Sequence, residues 1–203
     1  GHGYVVHYAI ADVPGVVADG GALDAETRRR GQTLYLPQRR IALHPDTIGE
    51  EAGSLLPQQR RGAYVWRFAL DDAGRVVETR LERATILSRA KLSYAEVQEA
   101  IDAGTASESL LLLKEVGLKR VALEHERGGA SLRLPEQEIE TDDGGFRLVT
   151  RAPLLVEDWN AQISLMTGME AARIMLEGGV GILRTMPGPD PDGVASFRRR
   201  ARA

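Results

Sequence analysis

The chain contains no cysteine. Disulfides, cysteine-ligated zinc and thiol catalysis are excluded together. It has no run of about 18 apolar residues, so no membrane-spanning helix is expected. Its first residues lack a charged stretch followed by an apolar one, so no secretory leader is read there. A cytoplasmic location is the expectation. Lysine is nearly missing, occurring only at Lys91, Lys114 and Lys119. The remaining basic residues are arginines, whose planar fork makes two-pronged hydrogen bonds to phosphate. The net charge of −3 withholds the basic total that often marks a nucleic-acid binder. A GC-rich genome also produces an arginine bias, so composition leaves RNA binding open.

Several chemistries lack their residues. There is no Gly-x-x-x-x-Gly-Lys-Ser/Thr phosphate loop, no Gly-x-Gly-x-x-Gly after a strand and no Gly-x-Ser-x-Gly elbow. His2, His7, His44 and His125 are scattered without metal-ligand spacing. His7 lies in an apolar run and reads as a packed, hydrogen-bonded strand residue. Acidic pairs occur at Asp71-Asp72, Asp142-Asp143 and Glu157-Asp158. The first two fall in Gly-containing turns, where aspartate suits the geometry. The third falls at a helix start, where acids offset the dipole. No catalytic constellation assembles from them.

What is present suits a single domain: 203 residues, 43% hydrophobic and 27% charged. Tyr4 to Ala11 reads as a buried strand, followed by a turn at Asp12-Val13-Pro14-Gly15. A short helix runs from Leu23 to Gly31, with Asp24 as N-cap and Gly31 as the stop. Thr33 to Leu36 and Arg39 to Leu43 read as short strands or extended loop. Ala63–Leu70 and a longer strand from about Arg75 to Ala90 form a hairpin through Asp71-Asp72-Ala73-Gly74. Alternation of Val77, Thr79 and Leu81 against Glu78, Arg80 and Glu82 predicts one buried and one wet face.

Ser93-Tyr94-Ala95-Glu96 is a capping box opening a helix with Val97 and Ile101 inside and Gly104 at its end. Thr105-Ala106-Ser107-Glu108 reads as a second box, opening a helix to about Arg127 with Leu110, Leu113, Val121 and Leu123 among its apolar positions. Gly128-Gly129 stops it. Ser131 to Leu134, Gln137 to Thr141 and Phe146 to Arg151 read as strands. A long helix covers Glu157 to Glu177, with Trp159, Ile163, Met166 and Ile174 near one stripe. Val180 to Met186 reads as a strand, and Val194 to Ala203 starts a last helix. The pattern is α+β, a mostly antiparallel sheet with packed helices. A start directly on a core strand reads as a chain truncated at both ends.

Certain blocks then occur in a telling order. They are Ala9-Ile10-Ala11-Asp12-Val13, Leu23-Asp24, Arg30-Gly31-Gln32-Thr33-Leu34-Tyr35-Leu36-Pro37, Ser54-Leu55 and Ala90-Lys91-Leu92-Ser93-Tyr94-Ala95-Glu96-Val97. In this order and spacing the chain resembles the RNB catalytic domain of ribonuclease II and ribonuclease R, from about Tyr4 to Met186. The stretch Glu157 to Leu165 is similar to the shorter RNB proteins of GC-rich bacteria, which agrees with the arginine bias.

The resemblance implies a partial RNB domain over residues 1–203. It implies a processive 3′-to-5′ exoribonuclease that cuts single-stranded RNA to nucleoside 5′-monophosphates with Mg2+. The family's metal-binding aspartates end in Asp-Asp-Ala ahead of the first strand, so the resemblance places that cluster upstream of Gly1 and leaves this chain alone inactive. Tyr35 matches a family tyrosine that packs near the RNA 3′ end. Tyr94 matches one that stacks or positions the terminal nucleotide. Gln162 falls where many members carry a glutamate that contacts the terminal ribose and base. Asp12 caps a turn and is left out of the site. A core-edge role is the other reading of both tyrosines. The other reading of the chain is a catalytically inactive RNB-like module that binds RNA or a protein.

Overall fold

A computed structural model describes residues 3–36, 39–129, 131, 133–142, 145–185 and 187–202. The chain divides into two compact units, Gly1–Thr167 and Gly168–Ala203. In the first unit β1 (Tyr4–Ala11) leads through a 3-10 turn (Val13–Gly15) to α1 (Ala22–Arg30), β2 (Leu34–Tyr35) and β3 (Arg40–Ile41). A π-helical turn (Thr47–Ala52) precedes β4 (Arg60–Leu70) and β5 (Val76–Leu87). Then come α2 (Tyr94–Asp102), α3 (Glu108–Glu126), β6 (Glu136–Asp142), β7 (Gly145–Arg151) and α4 (Leu155–Gly178), whose end lies in the second unit. The fold is α+β, and each of the three sheets among the described residues is antiparallel.

The main sheet has the order β1-β4-β5. Its central strand, β4, is the buried one. Ala63, Trp66, Phe68 and Leu70 are buried, and the Trp66 and Phe68 rings stack at 5.8 Å. On β5, an edge strand, the alternation does not produce a buried face: Val77 is 67% exposed and Leu81 is also exposed. An apolar-polar alternation buries one face only where another layer covers it. His7 on β1 is exposed rather than packed.

The helices supply the rest of the core. Buried positions on α3 are Val116, Gly117, Arg120, Leu123 and Glu124. Those on α4 are Val156, Trp159, Gln162, Ile163, Met166 and Thr167. Each set follows the three- and four-residue steps of one helical face. The close approach occurs at Gly117, where an added Cβ would overlap Trp159. Val97 and Ile101 of α2 join Val156 and Trp159 in one apolar cluster, with Leu110, Leu113 and Leu154 packed against it. The sheet is joined to α3 at its far turn, where Arg120 donates to the Gly74 carbonyl at 3.1 Å. Arg75 pairs there with Glu126 at 2.7 Å.

Several local expectations are corrected. Gly21, not Asp24, caps α1. Asp24 lies within the first turn, accepts from the Gly20 amide and pairs with Arg28. No capping box forms at Thr105. The cap of α3 is Ser107, without a side-chain cap bond, while the Thr105 hydroxyl donates to the Ala100 carbonyl. Ser131, Arg133 and Leu134 are not in a strand, and Leu132 lies outside the described residues. Ser131 instead donates to Glu124, and Arg133 pairs with Asp158. The β6–β7 turn at Asp143-Gly144 is also outside the described residues. Residues 180–185 form no strand: Val180 and Ile182 are exposed, with no partner strand among the described residues to cover them. Met186 lies outside the described residues.

The second unit continues from the end of α4 to α5 (Pro191–Arg200). Asp190 caps α5 by accepting from the Gly193 amide at 2.8 Å, and proline sits in its first turn.

Candidate functional site

Tyr94 is placed by the start of α2. Ser93 and Glu96 form a complete capping box: the Ser93 hydroxyl accepts from the Glu96 amide, and the Ser93 amide donates to the Glu96 carboxylate at 3.0 Å. The Ser93 hydrogen bonds hold the Glu96 carboxyl below its ordinary value, so the box is locked at neutral pH. Tyr94 shares the i, i+3, i+7 stripe of Val97 and Ile101, but as the first helical residue it sits at the open end of that stripe. Tyr94 is accordingly 47% exposed. Its phenol oxygen accepts from the Asn160 side-chain amide at 3.0 Å.

Asn160 lies on α4 between the buried Trp159 and Gln162. It also lines a cleft of about 560 Å³ between β1, α3 and α4, with His7, Tyr8 and Ser109 on its walls. Sequence reasoning missed this residue. The signal available was its position on α4, two residues from Gln162 and so rotated to a different side of the helix.

Gln162 is 4% exposed and turned into the α3–α4 packing. Its amide donates to Glu124, whose other oxygen accepts from Ser131. Those bonds, Ser131 first, hold the Glu124 carboxyl below its ordinary value against the opposing effect of burial. The Gln162 carbonyl oxygen is buried without a hydrogen-bond partner among the described residues. The structure thus brings Tyr94 to Asn160 and places Gln162 behind them as a strut between helices.

Tyr35 is 80% exposed on the short β2–β3 ribbon, opposite Arg40 and beside the exposed Leu34 and Leu36. Nothing in the structure pairs it with Tyr94. Asp12 is buried at the end of β1. It accepts from the Gly15 amide at 3.1 Å and from Arg83 Nε at 2.6 Å. Both carboxylate oxygens are thereby engaged in fixing the β1 turn to β5.

Asp71, Glu157 and Asp158 of the acidic pairs are engaged in structural bonds, and Asp143 lies outside the described residues. Asp71 accepts from the Ala73 and Arg75 amides in its turn. Glu157 pairs with Arg151 at 2.5 Å and accepts from the Leu154 amide, and Asp158 pairs with Arg133. Among the described residues no three histidine, aspartate or glutamate side chains come together as a metal site. These residues therefore do not fit a magnesium centre. No described helix is long and apolar enough to cross a membrane.

The chain matches the RNB domain family over residues 1–202 and belongs to it. It is 27% identical over 192 residues to the exosome complex exonuclease RRP44 of Mus musculus, covering 90% of this chain and 20% of that protein. Among solved structures it is similar to RNase R of Mycoplasma genitalium in a complex with double-stranded RNA. The TM-score is 0.89 at 22% identity, covering 97% of this chain and 37% of that one. It is also similar to yeast Ssd1, described as a pseudonuclease, with a TM-score of 0.74 at 20% identity, covering 98% of this chain and 25% of that one. At such identities the likeness shows the fold. The chain spans well under half the length of these relatives.

Proposed function

We propose that the protein containing this chain is a 3′-to-5′ exoribonuclease acting on single-stranded RNA and releasing nucleoside 5′-monophosphates. The observation that carries this reading is membership of the RNB family across residues 1–202. Tyr94 supports it as an aromatic face held by Asn160 yet open to solvent, and Tyr35 as a second open ring. Every base has a π-face, so stacking on such rings tolerates any sequence. Gln162 supports the site from behind by tying α4 to Glu124 of α3.

Magnesium would supply an activated water for attack on phosphorus. We assign its ligands to carboxylates outside the described residues, as the resemblance to the family implies. The roles of this chain are to stack and orient the RNA.

The test is a 5′-labelled single-stranded RNA incubated with the complete protein. The expected result is stepwise shortening from the 3′ end, nucleoside 5′-monophosphates as products, an intact DNA control and arrest by EDTA. Endonucleolytic fragments, or no cleavage with added magnesium, would sink the reading. The likeness in fold to yeast Ssd1, described as a pseudonuclease, supports a second reading, an inactive RNB module that binds RNA. Tight RNA binding by the complete protein without turnover is its expected outcome.

A further inference from the structure

We propose that Arg60, Arg89 and Lys91 form a phosphate-contacting edge that guides the RNA backbone to Tyr94. The proposal rests on the reading of the chain as an RNA-binding nuclease domain and names which cations hold its substrate.

In the first unit most arginines are already neutralised. Arg83 is held by Asp12 at 2.6 Å, Arg75 by Glu126 at 2.7 Å, and Arg151 by Glu136, Glu138 and Glu157. A guanidinium bonded to a carboxylate has no charge to offer a phosphate without first breaking that pair. Arg60, Arg89 and Lys91 are exposed, and their side chains make no ion pair among the described residues. In a chain of net charge −3, unpaired cations gathered at one place are a local field with a sign opposite to the whole.

The fold gathers them. Arg60 opens β4 opposite Leu87, the last residue of β5. Just beyond, Pro57 bridges Ser88. Gln58 then clamps the exit of β5: its amide donates to the Ser88 carbonyl at 2.7 Å, and its side chain donates to the Arg89 carbonyl at 2.9 Å. Arg60, Arg89 and Lys91 therefore share one end of the β4–β5 hairpin. Arg61 adds charge there, since its guanidinium is bonded to neutral acceptors, the Glu51 and Arg60 carbonyls and the Gln59 amide oxygen.

A second observation singles out the same end. Gln58 has φ of 60°, the one non-glycine residue in the left-handed region among those described. Such a conformation costs on the order of 1 kcal/mol or more and clusters at functional segments. Here it is what lets both Gln58 donors face Ser88 and Arg89. From Arg89 the chain reaches Tyr94 in five residues, a span of at most about 17 Å. A strand of RNA whose terminal base stacks on Tyr94 thus has free cations within a few nucleotides of that base.

The experiment is fluorescence anisotropy of a 5′-labelled single-stranded RNA with the 203-residue chain, across a salt series. Each neutralised phosphate contact contributes roughly 0.7 to the slope of log affinity against log salt for single strands. The triple variant Arg60→Gln/Arg89→Gln/Lys91→Gln is expected to lower that slope by about 2. The control Arg67→Gln/Arg80→Gln removes two cations that sit against Glu78 and is expected to keep the native slope. Native binding with an unchanged slope in the triple variant would overturn this proposal and leave the RNA reading standing. Polyglutamate binding with the native RNA slope would overturn it in favour of an acidic protein partner. A native chain that binds no RNA at any salt would overturn both.

Discussion

The side-chain amide of Asn160 donates to the phenol oxygen of Tyr94 at 3.0 Å, across 66 residues of sequence. The bond joins the first residue of α2 to the outer side of α4 and fixes the orientation of an otherwise half-exposed ring. Tyr94→Phe and Asn160→Ala each remove one partner. They are expected to be non-additive in unfolding free energy, with a coupling of about 0.5–1.5 kcal/mol. A double-mutant cycle by urea denaturation measures it, and strict additivity would mean that the bond contributes nothing in solution.

Tyr94→Ala removes the stacking face and is expected to weaken single-stranded RNA binding by about 1–3 kcal/mol. Its apparent affinity is compared with that of Tyr94→Phe, which keeps the ring and is expected to retain most of the binding. Equal affinity of Tyr94→Ala and the native protein would return the residue to a purely structural role at the α2 start.

Gly117→Ala is expected to destabilise the fold by about 1–3 kcal/mol, because the new methyl would overlap Trp159 where α3 and α4 meet. Thermal melting followed by circular dichroism reads this directly. Gly104→Ala is expected to behave differently. Its cost arises from a φ of 70° at the end of α2 rather than from packing, since no atom stands within 4 Å of the added Cβ.

Gln162→Glu replaces a donor to Glu124 by a second carboxylate in a buried setting. Both groups then compete for ionisation, and one carboxyl is pushed up. The variant is expected to lose stability at pH 7, by about 1–3 kcal/mol from the lost donor alone. Part of that stability returns as pH falls and one carboxyl takes a proton. Urea midpoints at neutral and mildly acidic pH check both the loss and the sign of its pH dependence.

The Arg151 guanidinium holds Glu157 below the ordinary carboxylate value of 4.5. Arg29 and then Arg30 hold Glu26 down to about 2. A folded-state value below the unfolded one favours the fold when the group is ionised. This stabilisation is fully present above about 4.5 and is lost as pH falls through the folded values. Stability measured between about pH 5 and 3 is therefore expected to drop. Arg151→Gln removes the pairing to Glu157 and is expected to flatten that drop. An identical pH slope in the variant would assign the acid sensitivity to other groups.

Much of the fold was legible because its signals are local. The Ser93–Glu96 capping box, the Gly31 stop, the β4–β5 hairpin and the long periodicity of α4 each depend on residues within a turn or two. The failures share a cause. Val77 and Leu81 alternate like a half-buried strand, but burial requires a covering layer, and alternation says nothing about that. Residues 180–185 have strand composition, yet a strand also needs a partner. Asp24 and Thr105 are good capping residues displaced by neighbours, because the cap goes to whichever residue meets the helix axis in the packed structure.

The sequence by itself determined the family, through blocks in family order, and that resemblance singled out Tyr94 in the block that also carries the cap Ser93. Tertiary structure alone decided what surrounds those residues. Asn160 faces Tyr94 while Gln162 faces Glu124 because about 200° of helical rotation separates two positions two residues apart. Arg60 and Arg89 share one edge because a hairpin brings together residues far apart in the chain. Such pairings depend on strand register and helix packing, which are set by the whole buried core.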